Sequence, residues 1–150
     1  MLVVKAMRIE PIGHVVHGQE DVARVDWSGV RSEILLREGL GERLLGLEGY
    51  SHLIVIGWLD RVPERLRQRS RAHPAGDERL PLQGALALRG GARPNPFSFT
   101  VCRLRAIEGD SLHVEGLDLV DGTPVLDVKP YIPHYDAVPG ATMPRWAEGP

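Results

Sequence analysis

The sequence predicts an all-β protein, a small β-barrel with one or two short helices, and three observations favour this fold. Short runs in which apolar and polar residues alternate recur along the 150 residues. Turns rich in glycine or proline separate these runs, and the chain holds 17 glycines and 12 prolines. Long amphipathic helices and repeated strand–helix units are not found in the sequence, so a Rossmann sheet is not predicted.

The first half of the chain predicts three strands joined by turns. Residues 8–16 and 31–37 have the composition of strands, with a polar loop over residues 17–29 between them. Residues 39–46 carry leucines at helical spacing, which predicts a short helix or turn. The strongly apolar YSHLIVIGWLD, residues 50–60, predicts a central strand.

The second half predicts further strands on either side of an arginine-rich connection. Residues 61–79 contain prolines and a glycine, which predicts a short helix followed by a loop. LQGALALR, residues 82–89, predicts a return to strand. After Phe97 apolar residues alternate with arginines, and EGD at residues 108–110 turns the chain into a second alternating run.

The stretch DGTPVLDVKPY, residues 121–131, begins as an ordinary hairpin and then places polar groups in a row. Its Asp-Gly dipeptide supplies the positive φ angles of a tight turn. Because side chains alternate along a strand, Asp127 and Lys129 are predicted to share one face, opposite Leu126 and Val128. A cross-strand salt bridge that stabilises the barrel is the alternative to a functional role for this pair.

Composition limits the class of protein. The chain is 43% hydrophobic and 25% charged with a net charge of -2, which is ordinary for one globular domain. The longest apolar run, residues 53–59, is far shorter than the ~20 residues that cross a bilayer, and the N-terminus lacks a signal peptide's apolar core. We therefore expect a cytoplasmic protein without a membrane partner. The single cysteine, Cys102, excludes an internal disulfide and is predicted to be a buried apolar residue.

Widely shared catalytic signatures are absent from the sequence. G-x-G-x-x-G, the Walker loop, H-E-x-x-H and G-x-S-x-G do not occur. The six histidines are scattered without the spacing of zinc ligands, so no metal is predicted.

Arginines are concentrated between residues 61 and 93. The cluster comprises Arg61, Arg65, Arg67, Arg69, Arg71, Arg79, Arg89 and Arg93. A local patch of this kind can hold nucleic-acid phosphates although the whole chain is slightly acidic. A solvated loop in an arginine-rich protein is the alternative that the sequence leaves open.

Four segments carry a resemblance to a known family. They are RPNPFSF (residues 93–99), LDLVDGTPVLDVKPYIP (residues 117–133), LEGYSHLIVIGW (residues 47–58) and IEPIGHV (residues 9–15). Together they resemble the TrmO family, also called TsaA-like, over about residues 8–136. The domain prediction is accordingly a TrmO-like barrel over residues 1–136 and an irregular C-terminal tail over residues 137–150.

The resemblance implies a fold and an activity. Members of the family are small β-barrels that bind S-adenosylmethionine and act as homodimers with the cofactor near the subunit interface. Their characterised activity is N6-methylation of threonylcarbamoyladenosine beside the anticodon of tRNA. The resemblance therefore implies a tRNA methyltransferase.

Site residues follow from the resemblance position by position. The implied cofactor contacts are Leu59, Asp60, Arg89, Phe99, Glu115, Gly116, Leu117 and Asp118. The carboxylates can accept hydrogen bonds from the ribose hydroxyls or the ammonium of the cofactor, and a glycine lets the backbone approach the adenine. A strand end, a bulge glycine and a turn acid are the structural alternatives for these residues.

Four further residues are assigned to catalysis, which for methyl transfer is largely positioning. Asp127 is predicted to orient the target N6-H, Lys129 to contact a phosphate or carboxylate, and Tyr131 to stack or hydrogen-bond at the pocket rim. Asn95, held between two prolines, is predicted to fix the base edge or the Asp127 carboxylate.

Substrate contacts are assigned to the arginine cluster. Arg93 is predicted to bind a tRNA phosphate or the threonyl carboxylate, and Arg67, Arg69 and Arg71 are predicted to be further substrate contacts. The arginine-rich segment 61–79 is predicted to stand in for the C-terminal extension of longer members. Residues 86–91, LALRGG, replace the family's usual Phe-Ala-Thr-Arg-Ser-Pro, so the pocket or the substrate is expected to differ. Two alternatives therefore stay open, a methyltransferase acting on a small molecule and a non-catalytic module that binds the cofactor or RNA.

Overall fold

Six of the strands close into an antiparallel barrel in the computed structural model, which describes residues 4–21 and 26–149. The strands are β1 (Gly13–Val16), β2 (Arg31–Leu36), β3 (His52–Trp58), β4 (Arg71–Ala72), β5 (Gln83–Gly84), β6 (Phe97–Glu108), β7 (Ser111–Glu115) and β8 (Pro124–Pro130). Barrel neighbours follow the order β1-β2-β7-β6-β3-β8, and β8 pairs with β1 to close the sheet. Strands β4 and β5 form a separate two-stranded ribbon. The predicted all-β barrel is confirmed.

Helical structure is confined to single turns in the described residues. The α-helical turns are α1 (Glu64–Arg67) and α2 (Pro133–Asp136). The 3-10 turns are Trp27–Gly29, Gly41–Leu44, Leu47–Gly49, Pro74–Gly76, Ala85–Ala87 and Arg145–Ala147. The turn predicted over residues 39–46 and the short helix predicted after residue 61 are both present. Residues 22–25 of the predicted polar loop lie outside the described residues.

The core fills the inside of the barrel with inward-facing aliphatic residues. Val15, Ile34, Leu53, Val55, Leu112, Leu117 and Val125 are all fully buried. Cys102 joins this cluster with 2% of its surface exposed, so the prediction of a buried cysteine is confirmed. Each such side chain removes apolar surface from water, which stabilises the barrel by about 1.5–3 kcal/mol per residue.

Two predicted strands are shorter than the sequence pattern indicated. Only Gly13–Val16 of residues 8–16 is strand, because Pro11 lacks the N–H that a sheet ladder needs. In residues 82–89 only Gln83–Gly84 is strand, and Ala85–Ala87 turns as a 3-10 helix instead. The prediction of a full strand there was wrong.

The segment around Asp121 differs from the predicted hairpin. Gly122 has the expected positive φ of 80°, but β7 and β8 are not paired with each other. The turn is held instead by contacts to β1 and its neighbourhood, since the Gly122 N–H donates to Val15 O at 2.8 Å and the Gly18 N–H donates to the Asp121 carboxylate at 3.3 Å.

Candidate functional site

A pocket of about 600 Å³ opens on the outer wall of the barrel, and we call it the cofactor pocket because it contains four of the residues that the family resemblance implies as cofactor contacts. Its residues come from the end of β3, the loop before β6, the first half of β6 and the segment after β7. They are Leu59, Arg89, Gly90, Gly91, Arg93, Phe97, Ser98, Phe99, Thr100, Val101, Asp118 and Leu119. The volume lies in the range of ordinary small-molecule sites.

Two arginines of this pocket fix its loop wall. The Arg89 Nη2 donates to Phe99 O at 3.0 Å, and its guanidinium lies 5.7 Å from the centre of the Phe99 ring. The Arg93 Nη2 donates to Leu88 O at 2.6 Å and to Ala85 O at 3.4 Å. A planar guanidinium group can donate to several carbonyl oxygens at once. These contacts therefore supply the loop carbonyls with hydrogen bonds that a neighbouring strand does not provide.

A carboxylate stands in the cofactor pocket with a fixed partner. The Thr100 hydroxyl donates to the Asp118 carboxylate, and Thr100 is itself buried in β6. Because Asp118 is exposed, its remaining lone pairs are available to donors of a bound ligand.

Burial, together with the nearby Asp118 charge, raises the pKa of the Cys102 thiol to about 12.

Close packing under the cofactor pocket requires a glycine in β3. A Cβ on Gly57 would lie 2.6 Å from Ser98 Oγ and 2.8 Å from Leu119 Cδ1. The Gly57 N–H donates to Ser98 Oγ at 3.0 Å. Ser98 stands, with Phe97, where the family usually has Ile-Gly, but Gly57 and Leu119 were not among the predicted site residues, although a glycine inside LIVIGW is the usual signal of close backbone approach in a strand.

Four of the eight predicted cofactor contacts meet in this pocket, namely Leu59, Arg89, Phe99 and Asp118. The other four lie outside its lining. Asp60 is exposed after β3, and Leu117 is fully buried in the core. Glu115 forms ion pairs on the outer wall with Arg31 at 3.6 Å and Arg105 at 3.5 Å. The Gly116 N–H donates to Val30 O at 2.9 Å, and Gly116 has a φ of 85°.

A second pocket of about 470 Å³ adjoins the first, and we call it the aromatic pocket. Trp58, Asn95, Phe97 and Leu126 line it, together with residues from the segment 4–9. The Trp58 and Phe97 rings meet edge to face, with centroids 5.4 Å apart and planes at 89°. Phe97 lines both pockets, so the two are adjacent.

The polar row of β8 lies on the same outer wall. Lys129 Nζ is 2.7 Å from Asp127 Oδ2, and the hydrogen bond to this carboxylate raises the pKa of Lys129. Asp127 pairs with Ile56, and Ile56 pairs with Phe99 of the cofactor pocket. Two strand spacings place the Asp127 backbone about 10 Å from that of Phe99.

The structure corrects two details of the sequence prediction for β8. Asp127 and Lys129 form the ion pair of the structural alternative, but they pair along one strand and not across strands. The register shifts between Ile56 and Gly57, whose partners are Asp127 and Val125. Leu126 therefore has no partner on β3, and it faces the aromatic pocket instead of sharing the inner face with Val128, which packs against the core.

Arg67 and Tyr131 are held by the barrel. Arg67 Nη2 and Nε donate to Pro94 O at 2.9 and 3.3 Å, and the guanidinium lies 5.3 Å from the Trp58 ring centre. The Tyr131 N–H donates to His52 O at 2.9 Å, which continues the β8 ladder past Pro130. Arg69 and Arg71 are exposed.

The described part of the chain shows neither a metal centre nor a membrane span. Groups of three or more His, Cys, Asp or Glu residues placed to hold a metal ion are not found among residues 4–21 and 26–149. None of the helices in those ranges has the length and hydrophobicity needed to cross a membrane.

A closed antiparallel barrel with a polar and aromatic pocket on its wall defines a ligand-binding β-barrel protein, distinct from the strand–helix folds that bind nucleotides. Residues 23–137 match the family described as tRNA-methyltransferase O N-terminal domain. The chain belongs to this family, which confirms the resemblance of the sequence motifs.

Relatives and solved structures agree with this assignment. An S-adenosyl-L-methionine-binding protein of Archaeoglobus fulgidus is 33% identical over 136 residues, which cover 88% of this chain and 94% of that protein. A mouse tRNA (adenine(37)-N6)-methyltransferase is 35% identical over 96 residues, 63% of this chain but 21% of that protein. The crystal structure of TrmO from Pseudomonas aeruginosa has a TM-score of 0.77 and 30% identity, covering 97% of this chain and 65% of that one.

The chain spans only part of several relatives. A second Archaeoglobus fulgidus protein is 43% identical over 105 residues, which are 70% of this chain and 27% of that protein.

Proposed function

We propose that this chain is an S-adenosylmethionine-dependent methyltransferase that methylates N6 of an adenine in tRNA, with threonylcarbamoyladenosine as the expected acceptor. The observation that carries the proposal is the composition of the cofactor pocket, in which the Asp118 carboxylate, held by Thr100, lies in the same lining as Phe97 and Phe99. Asp118 and Phe99 are positions that the family resemblance implies as cofactor contacts. Membership of the family and the names of the relatives support it.

The donor set of the cofactor pocket fits S-adenosylmethionine. Asp118 would accept hydrogen bonds from the ribose hydroxyls or the ammonium, and Phe97 and Phe99 would contact the adenine. The Arg89 and Arg93 contacts hold the loop wall in place before any ligand binds. The cofactor supplies an electrophilic methyl group on sulfur: the acceptor nitrogen forms the new N–C bond with its lone pair, and the C–S electron pair stays on sulfur.

The polar row is proposed to serve the acceptor. The Asp127 carboxylate orients the N6-H and accepts the proton that the nitrogen loses, and Lys129, whose Nζ lies 2.7 Å from Asp127 Oδ2, holds that carboxylate in position. Tyr131 follows directly after β8 and is proposed as a rim group, and Asn95 offers an amide in the lining of the aromatic pocket. The exposed Arg69 and Arg71 are proposed to bind tRNA phosphates.

We further propose that the protein is a cytoplasmic homodimer. Phe97, Phe99 and Val101 follow one another on the outer side of β6 with 39%, 50% and 41% of their surface exposed. A row of large apolar side chains next to a ligand pocket is suited to burial by a second copy of the chain. Sedimentation equilibrium tests this, and Val101→Glu is expected to shift a dimer to monomers.

Binding of the cofactor is the first experiment. Titration calorimetry with S-adenosylmethionine is expected to give measurable affinity for the wild type, and Asp118→Asn and Arg89→Ala are expected to weaken it. A hydrogen bond to a charged group contributes about 1.5–3 kcal/mol, so the loss for Asp118→Asn is roughly 10- to 100-fold. Glu42→Gln, an exposed carboxylate outside the pocket, is the matched control. Equal affinities for all variants, or no binding with and without tRNA, would contradict the proposal.

A small-molecule acceptor is the second candidate, and the arginine contacts favour it. Arg67 and Arg93, two of the four predicted tRNA contacts, already bind backbone carbonyls. Transfer of a labelled methyl group to purified tRNA and to a small-metabolite extract distinguishes the acceptors. Cofactor binding without transfer to either would instead indicate the non-catalytic module.

A further inference from the structure

The aromatic pocket adjoins the cofactor pocket directly. Phe97 forms a wall of both pockets, and Trp58 stands opposite Phe97 in the β3–β6 register. The remaining side of the aromatic pocket comes from residues 4–9, which lie outside the residues matched to the family. A second ligand placed there would lie directly beside the first.

We propose that the aromatic pocket receives the adenine base of the methyl acceptor, turned out of its strand. The inference rests on the proposed function, because only a methyltransferase needs a second site beside the cofactor pocket. It assigns Trp58, Phe97 and Leu126 as the apolar walls for the base and Asn95 as the group that reads its edge.

The lining has the chemistry that a flipped base requires. Single-stranded bases bind aromatic side chains through their π-faces, and enzymes that modify a base place it in a pocket outside the stack. The Trp58 ring is supported by the Arg67 guanidinium at 5.3 Å and by the edge of Phe97 at 5.4 Å. The indole is therefore held in position before a ligand binds.

Asn95, the chain's single asparagine, combines a fixed backbone with an available amide. Pro94 O accepts from Arg67, Asn95 O accepts from the Phe97 N–H at 2.7 Å, and Pro96 O accepts from the Leu59 N–H at 2.9 Å. Within residues 4–21 and 26–149 the Asn95 side chain has no hydrogen-bond partner. The Asn95 amide N–H can donate to a ring nitrogen of adenine, which leaves the single N6-H of threonylcarbamoyladenosine to Asp127.

The position of Asp127 agrees with an acceptor at this place. Asp127 follows Leu126, which lines the aromatic pocket, and its backbone pairs with Ile56, two residues before Trp58. The register places Asp127 on β8 next to the wall of the aromatic pocket, and the inference assigns its carboxylate to the N6-H of a base whose ring lies against Trp58. The cofactor pocket and the polar row then face the same nitrogen from two sides.

Steady-state methylation of tRNA by three variants tests the assignment. Asn95→Ala and Trp58→Leu are expected to lower kcat/KM for tRNA roughly 10- to 100-fold while the affinity for S-adenosylmethionine stays at the wild-type value. Trp58→Phe retains a ring and is expected to recover most of the loss. Gln83→Ala, an amide outside both pockets, is the matched control, and thermal melting checks that each variant folds.

Photocrosslinking separates failure of this inference from failure of the proposed function. With the cofactor pocket blocked by S-adenosylhomocysteine, 8-azidoadenosine is expected to label Trp58 or Leu126, neither of which lines that pocket, and adenosine is expected to displace it. If the wild type methylates tRNA but Asn95→Ala and Trp58→Leu retain full kcat/KM, only the aromatic-pocket inference falls. If the wild type shows neither cofactor binding nor transfer, the proposed function falls, and labelling elsewhere or nowhere overturns the inference as well.

Discussion

Gly57 is the position where one added methyl group should disturb both the barrel and the cofactor pocket. In Gly57→Ala the new Cβ would lie 2.6 Å from Ser98 Oγ, 2.8 Å from Leu119 Cδ1 and 3.4 Å from Pro124 O. The first two distances are far below carbon contacts of about 3.5–4.0 Å. Leu119 is only 2% exposed and has little room to move, so β3 or the segment after β7 must shift.

The expected cost follows from these contacts. Adding a methyl group to a well-packed interior costs about 1–3 kcal/mol in the free energy of unfolding. For a chain of this size each kcal/mol lowers Tm by about 2–4 °C, so a decrease of roughly 2–12 °C is expected. Because Ser98 and Leu119 line the cofactor pocket, affinity for S-adenosylmethionine should fall together with stability.

Thermal melting and titration calorimetry measure the two effects. Gly49→Ala is the control, since nothing lies within 4 Å of a Cβ built on Gly49. The double variant Gly57→Ala/Ser98→Ala removes the Oγ contact and is expected to recover part of the lost stability. A Gly57→Ala protein with wild-type Tm and wild-type affinity would refute the argument, and so would a double variant less stable than the two single changes predict.

Three further predictions concern single side chains. Arg67→Ala should lower the free energy of unfolding by about 1–2 kcal/mol in urea melts, because it removes the bonds to Pro94 O, whereas exposed Arg65→Ala should not. Ser32→Ala should raise the free energy of unfolding by about 1 kcal/mol, since the buried Ser32 hydroxyl has no hydrogen-bond partner among the described residues. A lower free energy of unfolding in this variant would contradict the prediction. The pKa of the Cys102 thiol is raised from 9.0 to about 12 in the folded protein. The contribution of the buried neutral thiol to stability is therefore complete below pH 9 and is lost as the pH rises toward 12. Between pH 9 and pH 12 the free energy of unfolding of the wild type should fall by about 1.4 kcal/mol per pH unit relative to that of Cys102→Ala. Parallel curves of unfolding free energy against pH for the two proteins would exclude this prediction.

Local patterns in the sequence predicted the strands whose contacts are local. The alternation after Phe97 and the EGD turn specify the β6–β7 hairpin, in which Glu108 pairs with Ser111. Residues 82–89 have the composition of a strand, but Arg93 binds the carbonyls of Ala85 and Leu88 and no barrel strand pairs with them. The contacts of Arg93, which lies outside residues 82–89, therefore determine the structure of that segment more strongly than its own composition does.

The candidate site was accessible from the sequence only through the family motifs. Leu59, Arg89 and Asp118 are far apart in the chain and meet because the barrel closes, which no periodicity predicts. The bulge at Leu126 also changes which residues face outward, and it leaves no signal in an otherwise alternating run. The aromatic pocket depends on residues 4–9, which no motif identified.

The contacts of the arginine cluster have a consequence for how the protein should respond to ionic strength. Arg61, Arg67, Arg89 and Arg93 donate to backbone carbonyls, and Arg79 pairs with Asp77 at 2.7 Å. Arg65, Arg69 and Arg71 are then the members of the cluster whose guanidinium groups make no contact within the described residues. Each neutralised phosphate changes the slope of log K against log salt concentration by about -0.7 to -0.9. This cluster should therefore give tRNA binding a slope of roughly -2 to -3 per subunit, whereas eight free arginines would give roughly -6 to -7.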